Sequence, residues 1–118
     1  MNVNKRNNVR SLGDSGSAIL FAHGLGCSQS VWSRITPAFA GTHRQVLFDY
    51  VGSGKSQLSA FSATRYSGLD GYAQDVLDVC DALSLTDNVV FVGHSVSCSV
   101  GMLASIARPG LFERLIMV

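Results

Sequence analysis

One short segment of the chain has residue types and spacing suited to nucleophilic catalysis. Residues 89–101 begin as a β-branched run, pass through Gly93-His94-Ser95-Val96-Ser97, and continue as an apolar stretch of helical character. A strand, a tight turn and a helix in this order, with a serine at the tip of the turn, form a nucleophile elbow. The pattern therefore predicts acyl transfer with Ser95 as the nucleophile.

A serine hydroxyl is a weak nucleophile, so catalysis needs a base and also hydrogen-bond donors for the oxyanion that forms. The amide of Val96 comes at the start of the predicted helix, where backbone N–H groups have no intrahelical acceptor. A second donor is predicted in the glycine-containing loop that follows an earlier strand, where the amide of Leu25 is the candidate. The predicted oxyanion hole therefore consists of the Leu25 and Val96 amides.

None of the three histidines is predicted to be the base. His23 comes directly before the predicted oxyanion loop, and a supporting hydrogen bond is expected of it. His94 is next to Ser95 on a strained turn, so its ring is expected to point elsewhere. His43 lies in a polar turn and is expected to be solvated.

Strands and helices alternate along the chain, which predicts an α/β fold with a mostly parallel sheet. The run Ala18–Ala22 is apolar throughout and predicts a strand buried on both faces. Further strands are predicted at 9–12, 45–48, 88–92 and from 115 onward, and helices are predicted at 30–40, 70–83 and 96–107.

Composition excludes several other classes of function. The chain has 118 residues, enough for one domain, and its net charge of +1 gives no basis for binding nucleic acid or an anionic membrane. No apolar run approaches the ~20 residues that span a bilayer. The three cysteines include no CxxC pair, so neither a zinc site nor a disulfide framework is predicted, and a cytoplasmic location is expected. No cofactor and no metal are predicted.

Two further patterns have ordinary structural explanations. The segment Gly52-Ser53-Gly54-Lys55-Ser56 resembles the end of a phosphate-binding loop, but Asp49 stands where that motif needs a glycine, so a turn is predicted. Asp75, Asp78 and Asp81 are predicted to form a solvated helix face rather than a metal site.

Several segments of the sequence keep the order and spacing of one known family: Gly26–Trp32, Phe48–Gly54, Arg65–Tyr66, Leu69–Cys80, Gly93–Ser97 and Met102–Pro109. Through these segments the sequence from about Val9 onward resembles the α/β-hydrolase subgroup that contains the bacterial stress regulator RsbQ and the plant karrikin and strigolactone receptors. The resemblance covers less than half of a full-length member, so residues 1–118 are interpreted as the amino-terminal part of the three-layer domain, without the lid and the last strands.

The resemblance implies that Ser95 is the nucleophile and that Leu25 and Val96 occupy the oxyanion-hole positions, although phenylalanine is commoner at the first. It also implies a small apolar ester or lactone-like ligand, slow esterase-type hydrolysis linked to stress signalling, and a partner phosphatase of the RsbP kind. In this fold the order is serine, then acid, then histidine. After Ser95 the only acid is Glu113 and no histidine follows, so the chain alone is expected to be inactive.

Two other functional interpretations stay open. The first is a sensor or signalling regulator in which ligand binding is the function and turnover is incidental. The second is a gene fragment without independent function.

Overall fold

Five strands form one mixed sheet in the computed structural model, which describes residues 2–118. The strands are β1 (Arg10–Leu12), β2 (Ala18–Ala22), β3 (Arg44–Leu47), β4 (Val89–Gly93) and β5 (Phe112–Met117). They lie in the order β1-β3-β2-β4-β5, with β1 antiparallel to β3 and every other neighbouring pair parallel. The predicted α/β fold with a mostly parallel sheet is therefore confirmed.

The central strand β2 is buried along its whole length, as its apolar sequence predicts. It pairs with β3 on one side and with β4 on the other. The chain therefore adds a strand to one side of β2 first and to its other side later. Such a reversal of strand order leaves a crevice at the carboxyl ends of the two strands, where α/β proteins bind ligands. In this sheet the crevice lies between the ends of β2 and β4.

Three helices accompany the sheet: α1 (Val3–Arg6), α2 (Asp70–Ala82) and α3 (Val96–Ala107). Helices α2 and α3 pack on one sheet face, where Val76 and Val100 join Leu20, Val46 and Phe91 in the main core. Each fully buried side chain of this size contributes about 1.5–3 kcal/mol by leaving water. None of the helices among residues 2–118 has the length and apolar character needed to cross a bilayer.

The helix predicted at 30–40 is wrong. The segment forms two short 3-10 turns, Gln29–Trp32 and Thr36–Phe39, and the side chain that caps the first turn is that of Ser28 rather than Ser30. Pro37 has no N–H and its ring clashes with the carbonyl four residues earlier, so an α-helix cannot continue through it.

Smaller differences occur at other boundaries. Helix α1 was not predicted from the polar residues 2–8, and it begins where the Asn2 side chain accepts a hydrogen bond from the Lys5 amide at 3.1 Å. Strand β5 begins at Phe112, three residues before its predicted start.

Asp75 corrects the prediction of a solvated acidic face on α2. Its carboxylate is fully buried and lies 3.1 Å from the guanidinium of Arg6 and 2.5 Å from that of Arg65. The Tyr66 hydroxyl donates a third bond to it at 2.6 Å. Asp78 is half-buried beside the same two arginines, whereas Asp81 remains exposed and pairs with Arg108. Charge supplied from distant parts of the chain is what permits the burial of Asp75.

The two kinds of acidic residue on α2 should differ in their effect on stability. We expect Asp75→Asn to lower the free energy of unfolding by about 3 kcal/mol, because it leaves the buried Arg6 guanidinium with only the half-buried Asp78 as its charged partner. The exposed pair makes Asp81→Asn the matched control, with an expected loss of about 0–1 kcal/mol. Urea denaturation followed by circular dichroism measures both values. Equal losses in the two variants would contradict the structural role of Asp75.

Candidate active site

Ser95 lies at the tip of the turn between β4 and α3. Its backbone has φ 59° and ψ −120°, a region that residues with a Cβ rarely occupy and that costs about 1–3 kcal/mol. The surrounding hydrogen bonds hold it there, since the Ser95 amide donates to the Val118 carbonyl at 3.0 Å and the Val118 amide donates to that of Gly93 at 2.8 Å. The turn thus presents an exposed serine at the carboxyl end of the sheet.

The turn is possible because the residues on either side of it are small. A Cβ at Gly93 would lie 2.8 Å from the Phe91 ring and 2.9 Å from the Ser97 carbonyl oxygen, so only glycine fits there. Ser97 is fully buried in the second small-residue position. Small residues at positions 93 and 97 thus allow the strand and the helix to pass close to each other.

The pairing of β2 with β4 brings a second loop against the elbow. Ala22 is the register partner of Gly93, so both strands end at the same level. A Cβ at Gly24 would lie 3.3 Å from that of Ser95 and 2.5 Å from Nδ1 of His94, which shows how closely the loop approaches. Leu25 follows in this loop with its side chain 89% exposed.

The backbone amides of Val96 and Leu25 lie on the two segments that meet at Ser95. At the start of α3, the Ser97 and Cys98 amides donate to the carbonyls of His94 and Ser95 at 3.1 and 2.9 Å. Among residues 2–118, no backbone carbonyl accepts a hydrogen bond from Val96 or from Leu25. Both amides are thus available to an anionic oxygen, and their role as oxyanion donors stays a prediction.

His23 is engaged through both ring nitrogens. Its Nδ1–H donates to the Gly24 carbonyl at 2.8 Å, and its Nε2 accepts the Tyr50 amide at 3.1 Å. Burial lowers the pKa of this histidine below its ordinary value, which favours the neutral ring that these two bonds require. Neither nitrogen is free to take a proton from Ser95, and the expected supporting hydrogen bond is present.

The remaining candidates for a base are not bonded to Ser95 either. His94 turns its Nδ1 towards Gly24, where it is buried, and His43 lies beside Thr42 at 2.9 Å. Within residues 2–118, no histidine nitrogen and no carboxylate forms a hydrogen bond with the Ser95 hydroxyl. Among the described residues, Ser95 is therefore a candidate nucleophile with two candidate oxyanion donors beside it, and no base is bonded to it.

A cavity of about 260 Å³ opens beside Leu25 and Val96. Its walls are mainly aromatic and aliphatic, with Tyr50, Tyr72 and Phe61 among them. A space of this size and character can hold a small apolar acyl group with its carbonyl near the elbow.

The glycine-rich loop after β3 is a turn, as predicted, and is built around its own carboxylate. Asp49 is buried and accepts the backbone amides of Gln29 and Lys55 at 2.8 and 3.0 Å, as well as the side chain of Asn8 at 2.9 Å. A Cβ at Gly54 would fall 2.5 Å from this carboxylate. In this loop, which resembles a phosphate-binding loop in sequence, backbone amides form a nest, a concave group of N–H donors, and the Asp49 carboxylate occupies it.

Sequence analysis missed one polar group of the site, Tyr50. Its hydroxyl lies 2.7 Å from the Ser97 Oγ, and the Ser97 hydroxyl donates to the His23 carbonyl at 2.5 Å. The one sequence signal for such a bond is the hydroxyl of Ser97, two positions after Ser95.

The fold agrees with that of known proteins. The model of the family described as "Alpha/beta hydrolase family" matches residues 19–118. The chain belongs to this family.

Three individual proteins show more closely what the chain is similar to. It is 42% identical over 111 residues to strigolactone esterase RMS3 from Pisum sativum, covering 94% of this chain and 41% of that protein. It is 40% identical over 116 residues to Karrikin insensitive 2 receptor CA from Petunia hybrida, covering 98% and 43%. The solved structure of a hydrolase from Oleispira antarctica superposes with a TM-score of 0.94 at 41% identity, covering 99% of this chain and 42% of that one.

These matches confirm the resemblance to the strigolactone and karrikin receptor group, whose members include named esterases. The chain spans less than half the length of each of these relatives and corresponds to an amino-terminal portion of the fold.

The buried His23 should make stability depend on pH. Below the ordinary histidine pKa of 6.5 the unfolded chain takes up a proton that the folded chain resists, so the free energy of unfolding should fall as pH drops from 7.5 to 5. We expect His23→Gln to be less stable at pH 7.5 but to show a smaller pH dependence. Urea denaturation at several pH values measures this slope, with His43→Gln as the control. An unchanged slope in His23→Gln would contradict the assignment.

Proposed function

We propose that the protein carrying this chain is a serine esterase in which Ser95 attacks the carbonyl carbon of a small ester or lactone. The observation that supports this most strongly is the strained Ser95 turn, held in register with the loop that carries Leu25. The esterases among the relatives support the same reaction class.

The proposed reaction proceeds by nucleophilic acyl transfer. The Ser95 oxygen forms a bond to the carbonyl carbon as its proton passes to a base, and the carbonyl electrons move onto the oxygen. The amides of Leu25 and Val96 stabilise that oxyanion. Its collapse expels the alcohol, which takes up the proton, and water then releases the acid from Ser95 in a second, equivalent step. Because no histidine within residues 2–118 is bonded to Ser95, we place the base in a part of the protein outside this chain.

The proposed substrate is a small, largely apolar ester or lactone-like compound. The cavity beside the elbow has about 260 Å³ and few polar wall groups, which favours a compact apolar molecule. Strigolactone appears in the name of one relative, which agrees with a lactone-type ligand.

A sensor with incidental turnover is the second candidate, and the receptors among the relatives favour it. We extend this to a role in stress signalling through a partner phosphatase of the RsbP kind, as the resemblance to RsbQ implies.

The three free thiols, Cys27, Cys80 and Cys98, agree with a cytoplasmic location. In a sensor, Ser95→Ala would abolish turnover and leave ligand affinity within a few-fold, whereas loss of the signal together with turnover would favour the enzyme.

The chain by itself should show no turnover that depends on Ser95. The physical reason is that a serine without a base is a poor nucleophile at neutral pH. Hydrolysis of p-nitrophenyl acetate by the 118-residue chain and by Ser95→Ala should be equal. Catalytic turnover that Ser95→Ala removes would refute this.

A chimera can test whether Ser95 is competent. Residues 1–118 would replace the matched 42% of the Oleispira antarctica hydrolase, which supplies the rest of the fold. We expect the chimera to hydrolyse p-nitrophenyl acetate and Ser95→Ala to reduce kcat by about 10⁴-fold or more, since removal of the nucleophile leaves only binding and the oxyanion hole.

Ser99→Ala, on the same helix, is the matched control for the chimera and should retain the parental rate. Activity that is equal in Ser95→Ala and Ser99→Ala would overturn the proposed function.

A further inference from the structure

Three buried residues, His23, Tyr50 and Ser97, form a closed ring of hydrogen bonds behind the elbow. The Tyr50 amide donates to the His23 Nε2 at 3.1 Å, the Tyr50 hydroxyl donates to the Ser97 Oγ, and the Ser97 hydroxyl donates to the His23 carbonyl at 2.5 Å. The ring joins the loop after β2, the loop after β3 and the first turn of α3. These three residues are at most 6% exposed, so water does not compete for the bonds.

The direction of each donor in this ring follows from chemistry. The His23 carbonyl can only accept, so the Ser97 hydroxyl must donate to it, and the Tyr50 hydroxyl must then donate to Ser97. Burial raises the pKa of Tyr50 above its ordinary value, so the phenol keeps its proton and remains a donor. The ring therefore has a single orientation.

The ring also controls the backbone of the oxyanion loop. The His23 Nδ1–H donates to the Gly24 carbonyl at 2.8 Å, and the Cys27 amide donates to the same carbonyl from within the loop at 3.1 Å. That carbonyl shares one planar, trans peptide unit with the Leu25 amide, so fixing the C=O direction fixes the N–H to point the opposite way. The Tyr50 amide holds the His23 ring at Nε2, and the Ser97 hydroxyl holds the His23 backbone at its carbonyl, so both residues fix the position from which the ring bonds Gly24.

We infer that Ser97, acting with Tyr50 through His23, is a positioning residue that sets the direction of the Leu25 amide towards the oxyanion. The inference rests on the proposed function of Ser95. It explains why the small residue at position 97 is a serine: its hydroxyl connects helix α3 to the loop that carries Leu25.

The chimera described above provides the test, with p-nitrophenyl acetate as substrate. Ser97→Ala should lower kcat by roughly 10- to 100-fold with KM within about twofold, because a misdirected oxyanion donor weakens the transition state and leaves substrate binding intact. Tyr50→Phe should lower kcat less, since the bond from Ser97 to His23 remains. If the two residues act through one ring, the double variant should be no slower than Ser97→Ala.

A transition-state analogue separates positioning from a merely structural role. Phenylboronic acid forms a tetrahedral adduct with a catalytic serine, and its inhibition constant should rise in Ser97→Ala by about the same factor as kcat falls. Ser99→Ala should change neither value. If Ser97→Ala does not fold, Tyr50→Phe decides the test by the same two readouts.

The possible failures have different signatures. If Ser95→Ala keeps the parental rate, the proposed function is wrong. If turnover depends on Ser95 but kcat and boronate inhibition in Ser97→Ala and Tyr50→Phe stay within about twofold of the parent, only the positioning role is wrong. A fall in kcat that disappears when the assay is run well below the melting temperature would also overturn it, because the loss would then reflect unfolding.

Discussion

The register between β2 and β4 is the constraint on which the site depends. Because Ala22 pairs with Gly93, the two strands end side by side, and the loop after the first meets the turn after the second. A shift of one residue would turn every side chain of β4 to the other face of the sheet and move Ser95 away from Gly24. The Phe91 ring of β4, buried in the core against Gly93 and Gly101, opposes such a shift because it would lose this packing.

The strained turn at Ser95 is held by parts of the chain that contribute no chemistry. Strand β5 continues alongside the elbow, and the two hydrogen bonds between Val118 and residues 93 and 95 complete the ladder at the level of the serine. The Phe91 ring occupies the space that a side chain at Gly93 would need. The position of Ser95 is therefore maintained by the packing of Phe91 against Gly93 and by the hydrogen bonds of Val118.

The sequence predicts those strands and helices whose residue pattern also fits the burial that the tertiary structure gives them. Strand β2 and helix α3 fall at their predicted bounds, and the β4 bounds differ by one residue, because a buried strand and the turn around Ser95 have distinctive compositions. The segment around Pro37 was misinterpreted because Val31 and Ile35 have helical spacing and yet are exposed.

Features that depend on distant partners could not be predicted. The burial of Asp75 requires Arg6 and Arg65, which lie outside helix α2, and the periodicity of that helix carries no information about them. The same holds for Tyr50, whose hydroxyl meets Ser97 across 47 positions. Ser95, Leu25 and Val96 could be chosen from motifs alone, whereas the polar groups behind them became visible only in three dimensions.

The Asp49 carboxylate has a consequence for what this surface can recognise. It brings together amides from Gln29 and Lys55, a cluster of donors that would otherwise attract a free anion. Since the occupying charge is covalently part of the chain, its effective concentration at the nest exceeds that of any dissolved phosphate. An internal carboxylate thus already accepts the amides of this loop, at the point where the sequence resembles a phosphate-binding loop.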